Sequence, residues 1–394
     1  MDDETFREEM LKKTERLIKL YEHECQKPRF TKVTKAIAWV VTLLATGFAA
    51  RQSYTAYERY ALERSFASHY KSVGDEFLRK EQYQRALDAF READKLRPFD
   101  GEIYFGRVKA LALLTVNQKK DLDIAEMLCN LLIRQDPNSP EAYRYLGIVY
   151  MNEEKYSQAE NAYGVAIQKN GGKYGAAEYD LGLLYTDQGR TAKLRAPGSN
   201  EWGDDIQKSM DKTQKALKDG TDQDPYYTKA LYTIACDYAL LGKPDKAIQG
   251  LKIALDHRYD RYHVIAEDPD LDSLRRNSSF AQLIRDKRSE ISKEYRGLIQ
   301  AGEIVPEAYH TLAWAQLYSN DPSIIKEGIE YANRALLSEP ANPTFEGTLA
   351  ELYAASGDYK LALEKIKLAI DKEQPPRSYY LDLRKSWEGE SWRH

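Results

Sequence analysis

Residues 67–100, ASHYKSVGDEFLRKEQYQRALDAFREADKLRPFD, constrain the fold more than any other stretch, because their apolar residues follow two helical periods separated by a turn. Counting Ala67 as position 1, Tyr70, Val73, Gly74 and Phe77 fall at positions 4, 7, 8 and 11. Tyr83, Ala86, Phe90 and Ala93 fall at 17, 20, 24 and 27, and Pro98 at 32. Small residues at 8 and 20 let two antiparallel helices approach, bulky ones fill the gap, and the proline stops the second helix. Such a pair leaves its outer face uncovered, so the pattern requires neighbours of the same kind.

Those neighbours are present. Tyr143, Leu146, Gly147, Tyr150, Tyr156, Ala159, Tyr163 and Ala166 reproduce the set almost completely. Further copies are carried by Leu181, Gly182, Tyr185 and Ala216, then by Ala235, Tyr238, Gly242, Ala247 and Ala254. Tyr309, Leu312, Ala313 and Ala335 mark another, and Leu349, Tyr353, Gly357, Tyr359, Ala362 and Ala369 the last. A weaker copy spans 101–139, with Ala125 and Pro137. The pattern resembles the tetratricopeptide repeat, in seven copies over residues 67 to about 373. The resemblance implies an all-α superhelical solenoid of about seven helix pairs.

The residues at position 20, Ala86, Ala125, Ala159, Ser209, Ala247, Gly328 and Ala362, are unevenly spaced, and the departures locate insertions. One lies at TAKLRAPGSNEWGDD (191–205), where Pro197, Gly198, Ser199 and Asn200 signal a loop between helices. The longest precedes Gly328 and contains residues 256–286. Asp268, Pro269, Asp270, Leu271, Leu274, Arg275, Phe280, Leu283 and Ile284 there resemble the element that ends repeat groups in bacterial tetratricopeptide proteins. That likeness implies a bacterial-type protein and a break between five repeats (67–255) and the last two (306–373), across a helical insertion at 256–305. Asp272 reads as an N-cap for a short helix whose apolar residues cover the fifth repeat. Residues 374–394 are expected to form a capping helix and tail.

Composition excludes several function classes. Lysine and arginine total 58 against 62 acids, interleaved along the chain, so no basic stripe for nucleic acid is expected. The 29 tyrosines fall mostly at packing positions of the repeat rather than on a stacking platform. Cys25, Cys129 and Cys236 lie far apart without metal-ligand spacing and read as free, buried thiols. Asp268, Asp270 and Asp272 match the first three ligand positions of a calcium loop. Ser273 and Ser279 stand where glycine and the bidentate glutamate belong, so no metal or other cofactor is expected. No nucleotide, hydrolase or metalloprotease motif occurs, and the chain is not expected to be an enzyme.

The resemblance implies binding instead, because the family lines its concave face from positions 2, 5, 9 and 12 of each first helix. Those positions hold Lys71 and Asp75, Arg144 and Ile148, Tyr179 and Leu183, Tyr232 and Cys236, and His310 and Trp314. The expected peptide-binding groove is thus Arg144, Ile148, Tyr179, Leu183, Tyr232, His310 and Trp314, suited to an apolar segment of a protein partner; a small molecule is not expected. The family's carboxylate clamp resembles Lys71, but Asp75 replaces its asparagine and would repel a carboxylate.

Upstream, AIAWVVTLLATGFAA (36–50) carries no charge. Its length falls short of a bilayer core, but Lys35 and Arg51 can extend towards headgroups, giving an expected single transmembrane anchor at 32–54 with Tyr54 and Tyr57 at the outer interface. Arg16, Lys19, Lys27, Arg29, Lys32 and Lys35 precede it, against Arg51, Arg59 and Arg64 after it. That asymmetry predicts a cytoplasmic N-terminus and a periplasmic or extracytoplasmic array. Residues 1–31 read as an amphipathic helix or tail, with Phe6, Met10, Leu17 and Tyr21 on one side, and 55–66 as a linker helix. The expected function is a membrane-anchored scaffold. The alternative is a regulatory or sensory subunit signalling through its N-terminal helices.

Overall fold

The computed structural model describes the backbone of residues 32–390, except 99, 115–118, 197, 303–304 and 374–376, together with Lys12, Arg16 and Lys19. Most side chains between residues 32 and 50 lie outside the description. The described residues are all helical or in turns, and they divide into two compact units, Met1–Glu153 and Glu154–His394.

The first unit contains α1 (Lys32–Arg79), α2 (Tyr83–Leu96), α3 (Gly101–Leu113), α4 (Lys119–Gln135) and α5 (Pro140–Asn152). Only the last part of α1 packs as a repeat helix: residues 51–66 are exposed at nearly every position, and burial begins at Ala67. The close approach that the spacing called for is made by Phe90, whose ring lies against Gly74 of α1 and Gly106 of α3. A Cβ on Gly74 would fall 2.8 Å from that ring, so the glycine is a packing requirement. Local capping sets the helix starts: Asp100 accepts from the backbone amides of Glu102 and Ile103, and Ser139 from that of Ala142, with Pro140 in the first turn of α5.

The second unit contains α6 (Tyr156–Lys169), α7 (Gly175–Arg195), α8 (Glu201–Asp219), α9 (Tyr227–Leu240), α10 (Pro244–Asp256), α11 (Tyr262–Glu267) and a short 3-10 helix, Pro269–Leu274. It continues with α12 (Ser278–Ala301), α13 (Val305–Leu317), α14 (Pro322–Ser338), α15 (Pro343–Ala355), α16 (Tyr359–Lys372) and α17 (Ser378–Glu390). Helix turns within pairs reuse one device, a left-handed residue: Glu81 at φ 56°, Glu154 at 58°, Gly242 at 67° and Gly357 at 87°.

Two local expectations change. The loop read at 191–205 shrinks to 196–200, because α7 continues to Arg195 and α8 starts at Glu201. Lys193 holds this elongated hairpin, with its ammonium 4.5 Å from the Trp202 ring and donating to the Leu240 carbonyl at 2.8 Å. Asp272 is not an N-cap. Asp268 caps the 3-10 helix and Asn277 caps α12, while Asp272 accepts from the buried Arg275 at 2.8 Å.

Among the described residues, no helix is long and apolar enough to cross a membrane. The expected anchor at 32–54 falls mainly on residues whose side chains lie outside the description, as does the amphipathic stripe of residues 1–31.

Candidate functional site

In the first unit, inner positions of successive helices form an open cleft of about 410 Å³ lined by Lys71, Asp75, Glu102, Phe105, Lys109 and Glu141. Lys71 is spanned by two carboxylates, Asp75 at 3.5 Å and Glu102 at 3.1 Å, which hold its ammonium above the ordinary lysine value. Lys109 differs. It is half-buried over the Phe105 ring at 4.6 Å, and burial pulls its pKa below that of a free lysine. Phe105 meets Tyr145 edge-on at 5.6 Å, and the Arg144 guanidinium lies 5.2 Å from the Tyr145 ring. Arg144 is therefore half-buried near this cleft, whereas Ile148 is buried. Apolar rings flanked by both signs of charge can take an extended segment with its own alternating polarity.

In the second unit, the residues expected to line the groove are largely covered by the chain itself. Tyr232 stacks on Tyr259 at 4.4 Å and donates to Asp268 at 2.7 Å; one turn on, the Cys236 sulfur lies 3.5 Å from the same carboxylate. Arg190 of α7 grips Asp270 through Nε at 2.9 Å and a terminal nitrogen at 2.5 Å. On α13, His310 is fully buried, stacked on Phe345 at 4.6 Å. Its Nε2 lies 2.9 Å from the Thr348 hydroxyl and its Nδ1 3.4 Å from Glu267. Trp314, also fully buried, meets Phe280 and Tyr318 edge-on. Tyr179 stacks on Tyr226 at 6.0 Å, and Leu183 is half-buried beside it. Segment 256–280 thus brings Tyr232, Cys236, His310 and Trp314 together as a buried seam.

Cys236, Asp268 and Asp270 place three possible metal ligands within 4.8 Å of one another. Their chemistry is already satisfied by protein. Asp270 has its arginine, Asp268 its tyrosine, and burial pushes the Cys236 thiol well above its ordinary pKa, away from the thiolate a metal needs. Cys129 is likewise buried, its thiol pushed up to about 12.

Phe105 and Lys109 escaped the sequence reading because the second repeat keeps few consensus residues, which obscured its register. Counting forward from the capping Asp100 and the close-packed Gly106 recovers it.

Three solved structures are similar to parts of the chain. The first is TTC0263, a thermophilic tetratricopeptide protein of Thermus thermophilus (17% identity, TM-score 0.42, covering 53% of this chain and 98% of that one). The second comes from the Cut9–Hcn1 hetero-tetramer (15%, TM-score 0.49, 77% and 52%). The third is YrrB, a tetratricopeptide protein with an unusual peptide-binding site (13%, TM-score 0.32, 65% and 97%). Comparison with curated protein sequences gives no match. The tetratricopeptide repeat family model matches residues 74–140, the stretch that holds Phe90, Gly106 and the first-unit cleft. Residues 74–140 carry tetratricopeptide repeats.

Proposed function

We propose that this chain is a non-catalytic scaffold, tethered to a membrane through residues 32–54, that holds an extended segment of a protein partner in the cleft of its first unit. The observation that carries the reading is the pairing of Phe105 with the half-buried Lys109 in an open cleft, while the equivalent second-unit positions are sealed. A desolvated ammonium beside an aromatic ring gains from a carboxylate or carbonyl of an incoming chain.

Two experiments test it. Capture from solubilised membranes with wild type and with Phe105→Ala plus Lys109→Ala should lose a partner in the variant; recovery of the same partners by both would remove the cleft. The tether predicts that the full chain pellets with membranes and needs detergent for release. Release by high salt alone would remove the anchor and leave the cleft untouched.

The regulatory reading draws on one feature. α1 runs unbroken from Lys32 to Arg79, so the proposed anchor and the first helix pair share one helix. A partner that tilts the pair would tilt the anchor. Crosslinking between cysteines placed at residues 55–66 should then change on adding partner, whereas a passive scaffold predicts an unchanged pattern.

A further inference from the structure

Three oxygen-bearing side chains from three helices meet in the interior of the second unit. Thr186 on α7 lies 3.0 Å from Asp237 Oδ1 on α9, Ser209 on α8 lies 2.7 Å from Asp237 Oδ2, and the Thr186 and Ser209 hydroxyls lie 2.7 Å apart. Asp237 and Ser209 are fully buried, and Thr186 is 4% exposed. The contacts form a closed triangle, and a triangle of three hydrogen bonds needs three protons. The two hydroxyls supply two. With Asp237 ionised, two protons serve three contacts and one contact has lone pairs on both sides: the 2.7 Å contact between the hydroxyl oxygens when both donate to the carboxylate. With Asp237 protonated, its O–H donates to Ser209, Ser209 donates to Thr186, and Thr186 donates to the remaining carboxyl oxygen.

We propose that Asp237 carries a proton in the folded protein, closing a hydrogen-bonded ring of three side chains that pins α7, α8 and α9, and that loss of this proton loosens the joint. The inference stands on proton counting and burial, independently of the scaffold reading. The charged groups facing Asp237 do not replace the proton. Arg190 of α7 is the cation that acts on Asp237, but its Nε and one terminal nitrogen bind Asp270 of the 3-10 helix and its other terminal nitrogen lies 3.7 Å from Asp187; Asp270 is itself a carboxylate that disfavours a second negative charge. Cys236 beside it is a buried, neutral thiol. The Thr186 hydroxyl has one alternative acceptor, the Gly182 carbonyl at 3.3 Å. Turning to it would break the Thr186 bond to Asp237 and still leave the contact between the two hydroxyl oxygens without a proton while Ser209 donates to the carboxylate. Burial pushes the Asp237 carboxyl up to about 7, with Ser209 and Thr186 pulling it back, so the joint opens across neutral pH.

The test is amide exchange of α9 in the full chain, corrected for intrinsic rates, from pH 5.5 to 8.5, in wild type and Asp237→Asn. Asparagine keeps the ring without a titrating proton, its amide donating to Ser209 and its carbonyl accepting from Thr186. In wild type the opening constant should rise by up to about tenfold per pH unit below pH 7 and level off above it. In Asp237→Asn it should stay flat. An equal slope in both overturns the proposal. Should the asparagine chain fail to fold, 13Cγ-labelled aspartate in wild type and Ser209→Ala reads the same proton. A resonance titrating near neutrality that moves with Ser209→Ala supports the ring, and its absence overturns it.

Discussion

Many of the described tyrosines pack a ring between helices and keep a polar handle. Tyr150 donates to Glu126 at 3.0 Å, Tyr156 to Asp187 at 2.7 Å, Tyr185 to Glu160 at 2.7 Å, Tyr262 to Glu290 at 2.8 Å and Tyr379 to Glu351 at 2.6 Å, each bond joining two helices. The ring fills the gap between helices while the hydroxyl reaches a carboxylate on a neighbouring one, which is why tyrosine serves here where phenylalanine would fill the same volume. Phe90 is the opposite case, apolar and closely confined by Gly74 and Gly106. Gly106→Ala places its Cβ against the Phe90 ring with nowhere for either to move. Urea denaturation should show a loss of about 1–3 kcal/mol. Position 8 and position 24 of the repeat were legible in the sequence because they depend on volume, and volume follows residue type. The burial of His310 and Trp314 was not, because a repeat pattern describes how each helix pair packs and is silent on what an insertion covers.

At the scale of elements, the turns and the ends decide most. Glu154 holds φ 58° in the turn between α5 and α6, a conformation that strains any side chain with a Cβ. Glu154→Gly should raise stability by about 0.5–1 kcal/mol, read as a higher urea midpoint, since the corresponding turns at Gly242 and Gly357 already use glycine. The last helix pair is covered by α17, whose Tyr379, Tyr380, Leu383 and Trp387 are buried in a cluster with Ile366, Ala369 and Ile370 of α16. Removing residues 378–394 exposes that cluster. It should give a chain that binds a hydrophobic dye and loses exchange protection first in α15 and α16. The rank of each helix pair was legible from spacing. The extension of α7 and α8 across the apparent loop was not, because Pro197 and Gly198 announce a break without saying how closely helices approach it.

Across the whole molecule, buried and half-buried acids set the response to pH. Burial raises Asp237, Glu294 and Glu351 to about 7 each, above the roughly 4 of an unfolded carboxylate. Below pH 4 both states hold these protons and nothing is lost. Between about pH 4 and 7 the unfolded chain releases them first, so stability falls as pH rises and levels off above 7. Glu267, held below its usual value by His310, contributes in the opposite sense at the acid end of that range. Urea midpoints should therefore be lower at pH 7.5 than at pH 5.5, by an amount that shrinks in Glu351→Gln.

The seam under segment 256–280 also settles a competition. Its Asp268 and Asp270 reach Tyr232 and Arg190 from within the same chain, so they compete at an effective concentration on the order of millimolar, with no translational freedom left to surrender. A free peptide at micromolar levels would need about a thousandfold tighter intrinsic affinity to displace them. For a guest of ordinary strength the seam is already occupied by the chain's own carboxylates.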